Sequence, residues 1–433
     1  MIPTIIISVI TCVCLILSVL FFPKLKLFGK EINTYWLVGL IGGVLIILFQ
    51  GISLKEVFDG LTADSGINPL KILVLFISMT FLSVFLDELG FFKYLATFAT
   101  KKAKTNQLTL FFILYALISV LTVFTSNDIV ILTFTPFICY FAKNTKINPI
   151  PYLVAEFAAA NTWSMMLIIG NPTNVYLATS ANVGFIPYLK VMFLPTLLAG
   201  LTEILVIFLL FRKKLLQPLN AEITEEKIGD QASLAVGIAH LGACLVLLVV
   251  SSYINLEMWL ICLACAVSLI VCACVIAAVK KTPPKILTAT AKRLPWDLIP
   301  FVLSMFVIVL ALDKQAVTGV LRKFLGTEQV VLRYGISSFL TCNLINNIPM
   351  SVLFSTIPNM PLPLLTDQAI YSTVIGSNVG AFLTPIGALA GIMFTDLINK
   401  QNVKYSFASF VKYGVIISVP TLLAALGGLL LVL

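Results

Sequence analysis

The chain has 433 residues, of which 60% are hydrophobic and only 11% charged, and its mean hydropathy is +1.06. A water-solvated domain carries roughly 25% charged residues to cover its surface, so these figures exclude a soluble enzyme, a nucleic-acid-binding domain and a disordered regulator. The net charge of +9 then reads as the loop charge of a polytopic membrane protein, in which Lys and Arg collect on the cytoplasmic side.

Apolar runs of about 20 residues predict spans near 3–22, 35–51, 72–90, 151–180, 187–211, 234–252, 257–279, 298–313, 368–395 and 410–432. The first has no basic start and is long enough to cross as a helix, so it is not read as a cleavable signal. Phe92 to Ala103 and Val317 to Leu325 read as amphipathic helices at the two interfaces. Two further apolar stretches, 107–142 and 334–358, carry a polar knot in the middle, and both read as re-entrant hairpins. In the second, the limbs from Tyr334 to Ile345 and from Pro349 to Pro358 have about ten residues each, ~15 Å of helix, half of a bilayer. The first has longer limbs, which also fit two short full spans. Its turn, Thr125-Ser126-Asn127-Asp128, has neither Gly nor Pro and lies between VLTVF and IVILTF, a poor water-exposed loop.

This layout places 21 of the 28 basic residues on one side and 7 on the other, so the first side is the cytoplasm. Both termini then lie outside, the first hairpin enters from the cytoplasm and the second from the exterior. The expected fold is an all-α polytopic membrane protein of about ten transmembrane helices, two re-entrant hairpins and two broken helices. It divides into inverted repeats at 1–211 and 234–433, joined by a cytoplasmic linker at 212–233. Leu86-Asp87 matches Leu312-Asp313, and Asn127-Asp128 matches Asn346-Asn347. Inverted repeats with discontinuous helices are the architecture of secondary transporters.

Polar groups deep in hydrocarbon are expensive and need a reason. Four clusters stand out: Thr125, Ser126, Asn127 and Asp128; Asn343, Asn346 and Asn347; Asn161, Thr162 and Ser164 with Asn171, Thr173 and Asn174 around Pro172; and Ser377 and Asn378 with Thr384 before Pro385. Helix breaks free carbonyls for a cation and expose helix N-termini to an anion. Asn127, Asp128, Asn346 and Asn347 are the candidate sodium ligands, and the coupling ion is sodium or a proton. Asp128 is the only acid in the clusters, Glu156 is read as snorkelling, and Asp87, Glu88 and Asp313 as interfacial. The tips hold no Lys or Arg. The nine cysteines lie mostly in apolar runs, with no metal-binding pattern around Cys262 and Cys265, and His240 reads as a lone structural residue. No cofactor is expected. An intramembrane enzyme would need facing acids, and a passive channel would not need tips entering from opposite faces.

LDELGFF (86–92), SNDIVILTFTPF (126–137), IGNPTNVYLA (169–178), PWDLIPFVLSMFVIVL (295–310), NNIPMSVL (346–353) and VIGSNVGAFLTPIGALA (374–390) occur in that order. Together they make the chain resemble the ion transporter superfamily, in particular the arsenite/antimonite permease branch, with the sodium-coupled divalent anion symporters as more distant relatives. The resemblance implies a binding site formed by the hairpin tips and helix breaks, a carboxylate role for Asp128, and a homodimer. It departs from the arsenite permease pattern at Asn161 and Asn378, where acids are typical, and GNPTN is closer to the anion permeases. The implied function is secondary active transport across the cytoplasmic membrane by alternating access, with arsenite/antimonite efflux first. A sodium- or proton-coupled permease for a small inorganic or carboxylate anion is second, and a sodium/proton antiporter third. A soluble pump ATPase partner is not indicated.

Overall fold

The computed structural model describes residues 2–22, 24–27, 30–63, 68–103, 106–218, 229–251, 254, 256–357 and 362–433. Residues 219–228, in the middle of the expected linker, and Pro358, at the end of the second expected hairpin, lie outside the described residues. The amino-terminal half runs α1 (Ile2–Phe21), α2 (Thr34–Leu48), α3 (Leu54–Thr62), α4 (Pro69–Glu88), α5 (Phe91–Ala103), α6 (Gln107–Phe124), α7 (Asn127–Thr145), α8 (Ile150–Trp163), α9 (Pro172–Ser180) and α10 (Phe185–Leu215). The second half repeats the order with α11 (Gln231–Val250), α12 (Met258–Val279), α13 (Lys285–Arg293), α14 (Leu298–Lys314), α15 (Val317–Leu325), α16 (Val330–Ile345), α17 (Asn347–Ser355), α18 (Pro363–Gly380), α19 (Leu389–Lys400) and α20 (Phe407–Val432). A two-stranded antiparallel ribbon, β1 (Lys24–Leu27) with β2 (Lys30–Asn33), is the one sheet among the described residues. Among those residues, 7 helical segments are long and apolar enough to cross a membrane, and the protein is an all-α polytopic membrane protein.

Each helix of one half has its counterpart in the other, and the contacts between halves are reciprocal. Helix α2 packs on α14 as α12 packs on α4, α7 packs on α19 as α17 packs on α9, and α10 lies along α20. Helix α4 is apolar on every side and buried over most of its length, whereas α11 and α12 bury only a narrow stripe. That contrast separates the centre of the bundle from its lipid-facing edge. The short helices α3 and α13, which the apolar runs do not reveal, tie the halves together at the span ends. Glu56 of α3 pairs with Lys314 of α14 at 2.6 Å, and Arg293 of α13 pairs with Asp87 and Glu88 of α4, both at 2.6 Å. A capping box starts α3: Ser53 Oγ accepts from the Glu56 N–H at 3.2 Å, and Glu56 Oε2 accepts from the Ser53 N–H at 2.8 Å. Lys314, with Ser53, holds the Glu56 carboxyl at about 2.

Both expected hairpins are helix–break–helix units. Helix α6 ends at Thr125 and Ser126 before α7, and α16 ends at Asn346 before α17. The first limb of the second hairpin is longer than expected, 16 residues from Val330. Arg333 does not end the helix there, because its guanidinium turns back to donate to the Leu325 carbonyl at 3.1 Å. The two broken helices are also present. Between α8 and α9 the chain makes two 3₁₀ turns, Ser164–Met166 and Ile168–Gly170, and α18 stops at Gly380 well before α19 starts at Leu389. Glycine is required at both breaks: a Cβ on Gly170 would stand 2.2 Å from the Ser164 carbonyl oxygen, and one on Gly387 would stand 2.8 Å from that of Gly380.

Candidate substrate and ion site

At the first tip the turn between α6 and α7 buries Ser126 and Asn127 and leaves Asp128 half-buried. The Asn127 amide donates to Asn161 Oδ1 at 3.2 Å, while Asn161 donates to the Phe157 carbonyl of its own helix at 2.7 Å. Ser126 Oγ and Asn127 Oδ1 are buried without a hydrogen-bond partner among the described residues. The Asp128 carboxylate has neither a hydrogen bond nor an ion pair among the described residues. Unpartnered buried acceptors of this kind are expensive, and together they form a ready set of oxygens for a cation, a proton or a hydroxylated ligand.

The first break continues this cluster. Ser164 Oγ donates to Asn378 Oδ1 at 2.9 Å and is within 2.7 Å of the Asn161 carbonyl. Asn171 donates to the same Asn378 oxygen at 3.0 Å, and Asn378 donates to Asn174 Oδ1 at 2.7 Å. Asn171 also caps α9, accepting from the Thr173 N–H and Oγ1, both at 3.1 Å. The result is a ring of amides from both halves with Asn378 at its centre. Ser377 Oγ beside it is buried and has no hydrogen-bond partner among the described residues. Asn161 and Asn378, with Ser164 between them, therefore link the first tip to the other half of the chain.

The second tip is stitched to its own broken helix. Asn343 donates to the Gly380 carbonyl at 2.9 Å and accepts from Thr384 Oγ1 at 2.6 Å. Asn346 donates to the Ile386 carbonyl at 3.0 Å, and the Asn347 N–H donates to the Gly387 carbonyl at 3.0 Å. Asn346 Oδ1 also accepts from the Ile348 N–H at 3.3 Å. A small cavity bordered by Ile345, Asn346, Ile386 and Leu389 separates this tip from Tyr35 and Phe301.

Helix starts set the register between the tips, and they shift the expected match by one residue. Helices α7 and α17 begin at Asn127 and Asn347, so Ser126 answers to Asn346 and Asp128 to Ile348. The carboxylate belongs to one half alone. Thr162 departs from the tip cluster, because its hydroxyl donates to Glu203.

Two acids missed as site residues lie deep in the bundle. Glu156 does not snorkel: it is fully buried and both its oxygens accept from Thr135, at 2.8 and 3.0 Å. Packing of α8 against α7 closes the route to the surface. Glu203 of α10 is likewise fully buried. The signal for both was an ionisable residue inside an apolar run. Asp87 accepts from Thr133 of α7 at 2.8 Å as well as pairing with Arg293, and Asp313 accepts from Thr318. His240 is not alone, since its ring nitrogens meet the Val236 carbonyl at 2.8 Å and Ser268 Oγ at 3.0 Å. Cys244 packs against Met79 and Cys262.

Two hairpins whose tips meet broken helices around a buried set of amides define a membrane transporter. A family model described as "Citrate transporter" matches residues 27–370, and the chain belongs to that family. The arsenical pump membrane protein of Escherichia coli is 26% identical over 376 residues, covering 82% of this chain and 85% of the relative. A 46 kDa membrane protein of Mycobacterium leprae is 24% identical over 427 residues, covering 91% and 92%. Among solved structures, the YdaH transporter of Alcanivorax borkumensis is similar in fold with a TM-score of 0.56 at 14% identity, covering 99% of this chain and 97% of that one. MtrF of Neisseria gonorrhoeae, whose structure illuminates a class of antimetabolite efflux pumps, gives 0.51 at 12% identity over 99% and 93%.

Proposed function

We propose that the protein is a secondary active transporter that works by alternating access and exports arsenite and antimonite. The observation that carries the substrate class is the donor set at the tips and breaks: amides, hydroxyls and a single carboxylate, with no Lys or Arg in either tip. Arsenous and antimonous acids are uncharged trihydroxides at neutral pH, and each hydroxyl both donates and accepts. They suit such a site, whereas Asp128 beside a multiply charged anion is repulsive unless a cation intervenes. The relatives described as arsenical pump membrane proteins support this reading.

In this reading residues 1–211 and 234–433 are inverted repeats in the cytoplasmic membrane, the linker at 212–233 is cytoplasmic and both termini are outside. Ion pairs support the grouping of segments by side, since every pair between segments joins two assigned to the same side and the pairs of Lys400 and Arg333 stay within one. Lys24 and Lys400 meet Asp396, Lys280 meets Asp230, and Arg293 meets Asp87 and Glu88 on the basic-rich side. Lys71 meets Glu257, Lys314 meets Glu56, and Arg333 meets Glu328 on the other. The assembly is a homodimer, and the first tip carries the coupling ion.

A second reading, a sodium-coupled permease for a carboxylate such as citrate, is favoured by the four helix N-termini at the tips and breaks, those of α7, α9, α17 and α19, and by the family's description. Purified protein in liposomes separates the two. Saturable arsenite flux responding to an imposed ion gradient is the expected result. Sodium-driven citrate or dicarboxylate uptake without arsenite flux would replace the first reading by the second.

A further inference from the structure

Outside the tips, one buried group has a built environment that the site does not use. Glu203 sits in the middle of the 31-residue helix α10 and is 0% exposed. Thr162 donates to its Oε2. Tyr115 Oη lies 3.0 Å from its Oε1 and, at the same time, 2.9 Å from the Gly200 carbonyl oxygen. Trp163 Nε1 donates to Tyr115 Oη at 3.1 Å.

The other titratable or charged groups on the elements packed against α10 engage elsewhere or lie at the ends. On α8, Tyr152 bonds to Gln107 and Glu156 to Thr135. On α11, His240 meets Val236 and Ser268, and Cys244 meets Met79 and Cys262. On α20, Tyr413 meets Phe211 edge to face, next to Lys412 in the chain. On α10 itself, Tyr188 donates to the Met165 carbonyl, and Lys190 and the basic run from Arg212 to Lys214 lie more than about 12 Å along the axis from Glu203. None of these contacts Glu203 among the described residues.

This arrangement satisfies the carboxyl in both of its protonation states. When Glu203 is ionised, Thr162 and Tyr115 each donate to one of its oxygens. When it is protonated, its O–H donates to Tyr115 Oη, the tyrosine hydroxyl turns to the Gly200 carbonyl, and Trp163 still donates to the second lone pair. No buried atom is stranded in either state, and the only covalent change is gain or loss of one proton at Oε1. A purely structural acid would need one of these arrangements, not both. Thr162 and Trp163 end α8 next to Asn161, the partner of Asn127, and next to the break that starts at Ser164. Thr162 keeps its partner but donates to a carboxylate in one state and to a neutral carboxyl in the other, so the bond at the end of α8 strengthens and weakens with the proton, next to the substrate site.

We propose that Glu203 is a proton-binding site that couples transport to a proton gradient in addition to the ion held at the first tip, with the Tyr115 hydroxyl as the positioning group that serves both states; this rests on the transporter reading above and adds a second coupled site to it. Glu203→Gln is the near-isosteric mimic of the neutral state, one N–H of its amide donating to Tyr115 and its carbonyl accepting from Thr162, with one added donor as the difference. In full-length protein in liposomes, infrared difference spectra across a pH titration are expected to show a protonated-carboxyl band that Glu203→Gln lacks and Asp128→Asn retains. Tyr115→Phe should displace the midpoint of that titration. Flux of arsenite or citrate driven by an imposed pH gradient should fall about tenfold in Glu203→Gln, within the range of coupling between two sites.

Identical bands in parent and Glu203→Gln would overturn the proposal, as would an unchanged response of flux to the pH gradient. Parental flux that is indifferent to the pH gradient would reject the coupling and leave the transporter reading standing. No flux of either probe, with the Glu203 band titrating, would uphold the proton site and reject the substrate reading.

Discussion

The two hairpin tips occupy matching places in the two halves, yet one is closed by its neighbours and the other is left open. In the second, the Asn343 and Asn346 side chains and the Asn347 N–H donate to carbonyls of the break between α18 and α19, and Thr384 of that break donates back to Asn343. In the first, Asn127 makes one side-chain bond to Asn161, and Ser126 Oγ, Asn127 Oδ1 and the Asp128 carboxylate have no partner among the described residues. Near-identical topology thus ends in two different tips, one braced by hydrogen bonds and one with unused acceptors among the described residues, and the reading proposed above places the coupling ion at the open one. Sequence symmetry alone would have assigned both tips the same role.

The largest effect expected is on folding, at the breaks that hold the tips. Gly170→Ala puts a Cβ against the Ser164 carbonyl, a backbone atom that cannot swing away, and should destabilise by ~3 kcal/mol or more. Gly387→Ala meets its neighbours at 2.8 Å, including the movable Asn343 Oδ1, and should cost less. Thermal unfolding of the two variants in the same detergent orders them, and equal shifts would contradict the geometry.

Next comes the acid that only the open tip has. Asp128→Asn should leave melting temperature unchanged or higher, because it removes an unpartnered charge, while lowering flux driven by a sodium gradient about tenfold. A fall in melting temperature with parental coupling would make Asp128 a structural residue. At the braced tip the order reverses. Asn346→Ala loses the bond to the Ile386 carbonyl and the cap on Ile348 and should cost ~1–2 kcal/mol of stability, measurable by chemical denaturation, with flux per folded molecule largely retained.

The smallest effect lies outside both tips, at the start of α11. Burial pushes the Asp230 carboxyl up, but the Lys280 amine and the Ser233 N–H and hydroxyl outweigh it and hold the group below the usual carboxylate range. A carboxyl lowered in the folded state contributes stability above its unfolded value that is lost as pH falls through the folded one. Asp230→Asn should therefore reduce stability at neutral pH by less than ~1 kcal/mol, since the pair is partly exposed, and the difference from the parent should vanish in acid. A difference that persists in acid would assign the effect to the cap on Ser233 instead.

The breaks and tips were legible because Gly, Pro and Asn are costly inside apolar runs, and their positions in sequence are their positions in the fold. The short helix α3 was not read from the sequence, although Ser53 and Glu56, a capping pair three residues apart, mark its start, because apolar runs alone pass over it. What sequence could not supply was pairing at a distance. Glu203 and Tyr115 are 88 residues apart and Asn378 and Ser164 are 214 apart, so neither the proton-binding network nor the amide ring follows from local spacing. The one-residue offset between the tips had the same origin: matching Asn-Asp to Asn-Asn follows residue type, whereas the helix starts follow backbone hydrogen bonding.

The division between the tips is tested most directly by comparing Asp128→Asn and Asn346→Ala side by side in liposomes, measuring gradient-driven arsenite flux per folded molecule. Flux is expected to fall about tenfold in Asp128→Asn and to stay near the parental value in Asn346→Ala. Retained flux in Asp128→Asn together with lost flux in Asn346→Ala would contradict the assignment of the coupling ion to the first tip.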